Sequence, residues 1–106
     1  MRISAVRIFP FETRESGGRT VAYAEIEIDE TLLIRGLRVM EAGNRGLFLG
    51  FPAQRARRGR ETLVELVAPL TAGARRAVRD AVIGEYKRVT GWEPVAREEP
   101  GDAGSA

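Results

Sequence analysis

Residues 20–40 of this chain read TVAYAEIEIDETLLIRGLRVM. From Ala22 to Ile28 every second residue is apolar, and the residues between them are Tyr23, Glu25 and Glu27. This period of two predicts a β-strand with one face towards a core. Residues 31–40 form a second β-rich run, in which Gly36 indicates a bulge or a close backbone approach. Asp29-Glu30 separates the two runs and favours a tight hairpin, although neither residue is a glycine.

Strands are also predicted on both sides of this hairpin. Residues 2–9 alternate and end at Pro10, which cannot continue a hydrogen-bonded ladder. The turn 43–46 (GNRG) leads into the apolar run 47–51 (LFLGF). Such an uninterrupted run predicts a central strand buried on both faces, or one buried on one face and at a dimer seam. Residues 61–68 predict the last strand.

A single helix should follow the strands. Thr71 is a good N-cap, and the helix should extend to about Thr90 with Gly91 just beyond its end. The residues predicted to form its apolar stripe are Ala77, Val78, Ala81, Val82, Tyr86 and Val89. Trp92 should fold back as an apolar anchor. The chain therefore predicts an α+β fold, an antiparallel meander of about five strands followed by one C-terminal amphipathic helix.

The chain has 106 residues, which is the size of one domain, and we expect that domain to span residues 1–92. Residues 93–106 contain prolines, glycines and four acidic residues, a composition typical of a flexible acidic tail. No apolar run reaches the roughly 20 residues that span a bilayer, and no signal peptide precedes the first strand. We therefore expect a cytoplasmic protein without a membrane partner.

The residue types argue against catalysis. The chain contains neither cysteine nor histidine, so it lacks a thiol nucleophile, a zinc finger and the commonest acid–base group near neutral pH. The glycines of the turn 43–46 precede a strand rather than a helix, unlike those of nucleotide-binding loops. We predict no enzyme, no cofactor, no bound metal and no small-molecule substrate.

Positive charge is concentrated in the body of the chain. The net charge is +2, but residues 93–106 carry −3, which leaves +5 on residues 1–92. Sixteen of the 17 basic residues are arginine, whose planar fork suits phosphate and guanine. A GC-rich genome would produce the same ratio, so the arginine content alone does not identify a function.

The densest basic segment is residues 55–60 (RARRGR), with four arginines in six residues. Following a strand that Pro52 ends, it should project as a mobile loop that a phosphate backbone can reach. A solvated hairpin tip would have the same composition. If the helix shares this side of the molecule, its arginines would enlarge the surface. The candidate nucleic-acid-binding residues are Arg55, Arg57, Arg58, Arg60, Arg75, Arg76 and Arg79.

Several of these segments resemble the SpoVG septation regulators. The similarity covers residues 1–89 and includes Val6-Arg7, Leu37-Arg38-Val39, residues 43–49, Pro52 with Arg55, and residues 81–86 (AVIGEY). It implies a small α+β homodimer that binds DNA, and in some members RNA, and that regulates septation, sporulation and gene expression. It also implies that Arg55 and the basic residues of the helix contact nucleic acid. Two positions depart from the family, since Gln54 replaces a usual lysine and Ala68 a common histidine.

Three hypotheses follow. The first is a dimeric nucleic-acid-binding regulator that uses the arginine loop and the basic helix face. The second is a protein-interaction module that contacts an acidic division or regulatory partner without binding nucleic acid. The third is an enzyme with a carboxylate–metal site near Glu25, Glu27 and Asp29, although a solvated outer sheet face explains these residues as well.

Overall fold

The computed structural model describes residues 1–10, 19–43, 46–55 and 63–93. Four antiparallel strands form the main sheet in the order β1-β2-β3-β4, two further strands form a small sheet, and one helix follows. The elements are β1 (Ile3–Pro10), β2 (Arg19–Ile28), β3 (Leu32–Glu41), β4 (Leu47–Gly50), β5 (Ala53–Arg55), β6 (Leu63–Glu65) and α1 (Ala72–Thr90). The predicted α+β fold, with a C-terminal helix, is confirmed.

The hairpin between β2 and β3 forms where the sequence predicted it. Asp29 and Glu30 have positive φ angles of 54° and 57°, the backbone sign that a type I′ turn requires. The amide of Thr31 donates to the carbonyl of Ile28 at 2.9 Å and closes the turn. The N-terminus supports this turn, because the amide of Arg2 donates to Oδ1 of Asp29 at 2.9 Å.

Gly36 lies at a bulge, as predicted. Strand β2 pairs Ala24 with Leu37 and then Ile26 with Ile34, so β3 carries one extra residue at this point. The φ angle of Gly36 is 86°, which a residue with a side chain rarely adopts. An added Cβ here would lie 3.6 Å from the ring of Pro52, so the chain after β4 also passes close to this bulge.

The C-terminal part of the meander differs from the prediction. Strand β4 is not central but lies at an edge of the main sheet, with Phe48 41% exposed. The strand predicted at 61–68 is reduced to β6, which pairs with β5 in a separate hairpin instead of joining the main sheet. Pro52 explains the break, because it has no amide to donate and its carbonyl accepts from Leu66 at 2.7 Å, outside the main ladder.

Helix α1 has the predicted ends. The hydroxyl of Thr71 accepts a hydrogen bond from the amide of Ala74 at 3.0 Å. Gly91 is left-handed, with a φ angle of 70°, and its amide donates to the carbonyl of Lys87 at 2.8 Å. These contacts satisfy backbone groups that the helix itself leaves unpaired.

The core lies between α1 and one face of the main sheet. The helix contributes Val78, Val82 and Tyr86, which are spaced one turn apart. The sheet contributes Val21, Ala22, Ala24, Ile26, Leu37 and Val39, and Phe51 follows β4 into the same core. The predicted stripe was too wide. Ala77 and Val89 are exposed, because a helix on a flat sheet buries only the residues that point directly at it.

Trp92 is the predicted anchor beyond the helix. Its ring packs against the core, and its Nε1 donates to Oε2 of Glu41 at 3.2 Å. The proposed tail from residue 94 onwards lies outside the described residues, as do the central residues of the turn 43–46. Within the described part of the chain, no helix is long and apolar enough to cross a membrane.

Replacing Thr71 by alanine should destabilise the protein by about 1 kcal/mol, because one amide of the first helical turn loses its acceptor. Urea denaturation followed by circular dichroism measures this loss. Thr71→Ser keeps the hydroxyl and is the matched control, which should unfold close to wild type. Equal losses in both variants would show that the cap contributes nothing.

Candidate nucleic-acid interface

The predicted basic loop is described only at its first residue. Arg55 ends β5, where it is exposed and pairs in register with Leu63 of β6. Arg57, Arg58 and Arg60 lie outside the described residues. The two ends of the basic segment are therefore fixed by the β5–β6 hairpin, which places them next to each other.

Arg75 is held by the hairpin rather than directed freely into solvent. Its guanidinium donates to both carboxylate oxygens of Glu65 in β6, at 2.8 and 3.0 Å. The same guanidinium lies 4.9 Å from the ring centroid of Phe51. The hydrogen bonds from Arg75 lower the pKa of Glu65, and the same bonds raise the pKa of Arg75. The bidentate pair thus fastens the β5–β6 hairpin to α1 and brings the helix and the basic segment to adjacent positions.

The other two predicted helix arginines differ from each other. Arg79 is half exposed and pairs with its neighbour Asp80 at 3.1 Å, so part of its charge is neutralised locally. Arg76 is exposed and forms no ion pair with any described residue. Of the three, Arg76 keeps the most complete capacity to bind a phosphate.

Arg38 was missed as a candidate, and it lies beside Arg55. The two arginines line one open groove of about 510 Å³, whose other walls are Gly36, Pro52, Ala53, Gln54, Leu63 and Leu66. Within the described ranges Arg38 has no carboxylate partner. The alternation of β3 contained the signal, because Arg38 lies between the buried residues Leu37 and Val39 and must therefore point away from the core.

The carboxylates of β2 do not form a metal site. Arg7 pairs with Glu27 at 2.6 Å and with Glu25 at 3.6 Å, and Arg35 donates to Glu25 at 3.0 Å. The hydrogen bond to Glu27 raises the pKa of Arg7. Among the described residues, no group of three or more acidic side chains is arranged to hold a cation. These carboxylates belong to an ion-paired outer sheet face, so the enzyme hypothesis has no site in this part of the chain.

The chain is similar to known proteins over nearly all of its length. The SpoVG family model matches residues 1–88. The protein named "Putative septation protein SpoVG" in Bacillus cereus (strain AH187) is 34% identical over 101 residues, which is 95% of this chain and 98% of the relative. Proteins of the same name from Bacillus anthracis (strain A0248) and Bacillus thuringiensis subsp. konkukian (strain 97-27) match to the same extent.

The Arg75–Glu65 pair makes stability depend on acidity. Since the folded-state pKa of Glu65 is lowered, the pair stabilises the fold above the unfolded pKa of about 4.3 and loses this effect as pH falls through the folded value. Thermal melts of wild type and Glu65→Gln from about pH 6 to pH 3 measure the effect. Wild type should be the more stable protein at the upper end, and the difference should shrink towards the lower end.

The exposed Glu30, which contacts Arg2 at 3.8 Å, provides the control. Glu30→Gln should give a much smaller difference from wild type at every pH. A Glu65→Gln difference that stays constant with pH would show that the ionised carboxylate does not stabilise the fold.

Proposed function

Because the chain belongs to the SpoVG family, we propose that it is a dimeric nucleic-acid-binding regulator that acts in septation or sporulation. The observation that carries this proposal is the groove in which Arg38 and Arg55 lie together, at the base of the segment 55–60. The relatives' printed names supply the septation role. SpoVG septation proteins are not a family of enzymes, which agrees with an activity based on binding.

The groove suits the backbone of a nucleic acid. Guanidinium groups bind phosphate oxygens through two parallel hydrogen bonds, and this geometry needs arginines that are not already paired with carboxylates. Arg38 meets this condition among the described residues, and Arg76 provides a second unpaired guanidinium on α1. Arg57, Arg58 and Arg60 would extend the same surface along the chain. Phosphate contacts of this kind position a nucleic acid but do not read its sequence.

The β5–β6 hairpin links this basic surface to the body of the protein. Its pair Glu65–Arg75 fixes the hairpin on the helix, while Arg55 and the rest of the basic segment extend from its other end. Arg75 therefore serves mainly to orient the segment, whereas Arg55 and its neighbours would make the phosphate contacts. Without this support an isolated two-stranded hairpin would be marginally stable in water.

The proposed dimer rests on a second surface, which is apolar. An open groove of about 340 Å³ lies between the core face of the sheet and the first turns of α1, with Ile28, Leu32, Ile34 and Val67 among its walls. Leu70 at its rim is 96% exposed, and Leu32, Leu63, Val64 and Leu66 are between 49% and 59% exposed. Monomeric proteins rarely expose such a contiguous apolar patch.

A second copy of the chain fits this surface. A protruding leucine beside an open apolar groove is self-complementary, since a two-fold axis would insert each Leu70 into the groove of the other copy. The edge of β4, where the sequence suggested a dimer seam, offers less, because Leu47 and Leu49 already pack against the core. Dimerisation through the Leu70 surface would place two basic segments on one particle and so increase its avidity for a long nucleic acid.

Replacing Arg55, Arg57 and Arg58 together by alanine should weaken nucleic-acid binding irrespective of sequence. Each lost phosphate contact releases fewer counterions, so the slope of log affinity against log salt should become shallower by roughly 0.9 per contact on duplex DNA. Gel shifts or fluorescence anisotropy with a DNA duplex and an RNA of equal length, between about 50 and 200 mM salt, measure both quantities.

The matched control removes the same charge elsewhere. Arg2, Arg35 and Arg88 are exposed and ion-paired, and their triple alanine variant should keep most of the affinity. Equal losses in both variants would mean that only net charge matters. If wild type binds neither DNA nor RNA at micromolar concentration, an acidic protein partner becomes the better explanation of the arginines.

Replacing Leu70 by serine should shift the protein from dimer to monomer, because the inserted side chain becomes polar and smaller. Light scattering after size-exclusion chromatography gives the mass directly. Val89→Ser, at a 46% exposed position near the other end of α1, is the control and should remain dimeric. A wild-type mass of one chain at micromolar concentration would contradict the proposed dimer.

A further inference from the structure

The face of the main sheet opposite α1 carries a row of exposed aromatic side chains. Antiparallel register aligns Phe9 with Tyr23, Tyr23 with Arg38, and Arg38 with Gly50, so one transverse row crosses all four strands. Phe48 pairs with Met40, two residues along β3 from Arg38, and therefore lies on the same face. Phe9, Tyr23 and Phe48 are 48%, 49% and 41% exposed.

This outer face has two chemically different halves. At one end Arg7 and Arg35 neutralise Glu25 and Glu27 through ion pairs. At the other end the three aromatic rings surround Arg38, which pairs with no carboxylate among the described residues. We call this second half the aromatic face and define it by Phe9, Tyr23, Arg38, Met40 and Phe48.

Gly50 leaves the aromatic face open on its β4 side. A Cβ at this position would lie 3.3 Å from Sδ of Met40 and 3.6 Å from Nη2 of Arg38. The absence of a side chain therefore gives the Arg38 guanidinium room above β4. Because Arg38 also lines the groove that contains Arg55, the aromatic face continues directly into the proposed phosphate-binding surface.

We propose that the aromatic face binds single-stranded nucleic acid by stacking bases on Phe9, Tyr23 and Phe48 while Arg38 holds the phosphate backbone. This inference rests on the proposed function and specifies the form of nucleic acid that is bound. Aromatic rings on an open sheet provide flat apolar partners for bases, and every base has a face that can stack. A duplex would not use these rings, since its bases are already stacked on each other.

The charge of the aromatic face favours this ligand over a second copy of the sheet. Two such faces packed on each other about a two-fold axis would bring their Arg38 side chains close together, and the like charges would repel. A polyanion with flat bases satisfies both the cation and the rings. The apolar surface around Leu70, which carries no such cation, is the better place for a second copy.

The test compares single strands with a duplex. Full-length wild type and the Phe9→Leu/Phe48→Leu variant are titrated by fluorescence anisotropy into oligothymidine and oligouridine of about 12 nucleotides and into a duplex of the same length. Leucine keeps an apolar side chain but removes the ring. The variant should lose single-strand affinity on the order of tenfold per ring, while its duplex affinity stays close to wild type.

Two further variants separate stacking from folding. Tyr23→Phe keeps a ring and should retain single-strand binding, whereas Tyr23→Leu should lose it, and thermal melts of the two report any difference in stability. A drop with oligouridine but not oligothymidine would still support stacking and would identify RNA as the ligand.

The outcomes against the inference are distinct from failure of the proposed function. Single-strand affinity that is unchanged in the leucine variants, or wild type that binds only the duplex, would overturn the stacking role and leave the regulator proposal standing. Wild type that binds none of the three nucleic acids would overturn both. Leucine variants that change the molecular mass instead of single-strand affinity would show that this face contacts another copy.

Discussion

The packing of one helix against one face of a four-stranded sheet determines the rest of this structure. Val78, Val82 and Tyr86 point at the sheet and close the core on that side. Within the described residues there is no second helix for the opposite face, so its side chains remain accessible. The helix also ends the core short of the turn between β2 and β3, which leaves the apolar groove beside Leu70 open. The proposed binding surfaces are therefore consequences of how little sheet a single helix can cover.

The charges divide the surface in a way that net charge does not reveal. Several arginines are already paired, including Arg7, Arg35, Arg75 and Arg88. Such pairs contribute modestly to stability, but they remove these cations as ready phosphate ligands. Arg38 and Arg76 have no such partner within the described ranges. The specific placement of unpaired guanidinium groups, rather than the overall excess of arginine, thus supports the binding proposal.

Much of the fold could be predicted from the sequence, because its signals are local. Alternation located β1 to β3, Gly36 marked the bulge, and Thr71 and Gly91 marked the helix ends. The errors concerned partners distant in sequence. Nothing in the run 47–51 shows that β4 would lie at an edge, because pairing partners depend on where the chain goes after Pro52. The pairing of Arg75 with Glu65 was equally inaccessible, although it changes the role of that arginine. Arg38 could have been found from alternation alone.

The most direct measurement of where this protein binds is a nuclear magnetic resonance titration of the labelled full-length chain with oligothymidine. The account predicts shifts of backbone amides that cluster at Phe9, Tyr23, Arg38, Phe48 and Arg55, on the outer face and its adjoining groove. Amides of Val78 and Val82, beneath the helix, should move little. Shifts confined to the surface around Leu70, or to the ion-paired end near Arg7 and Glu25, would contradict it.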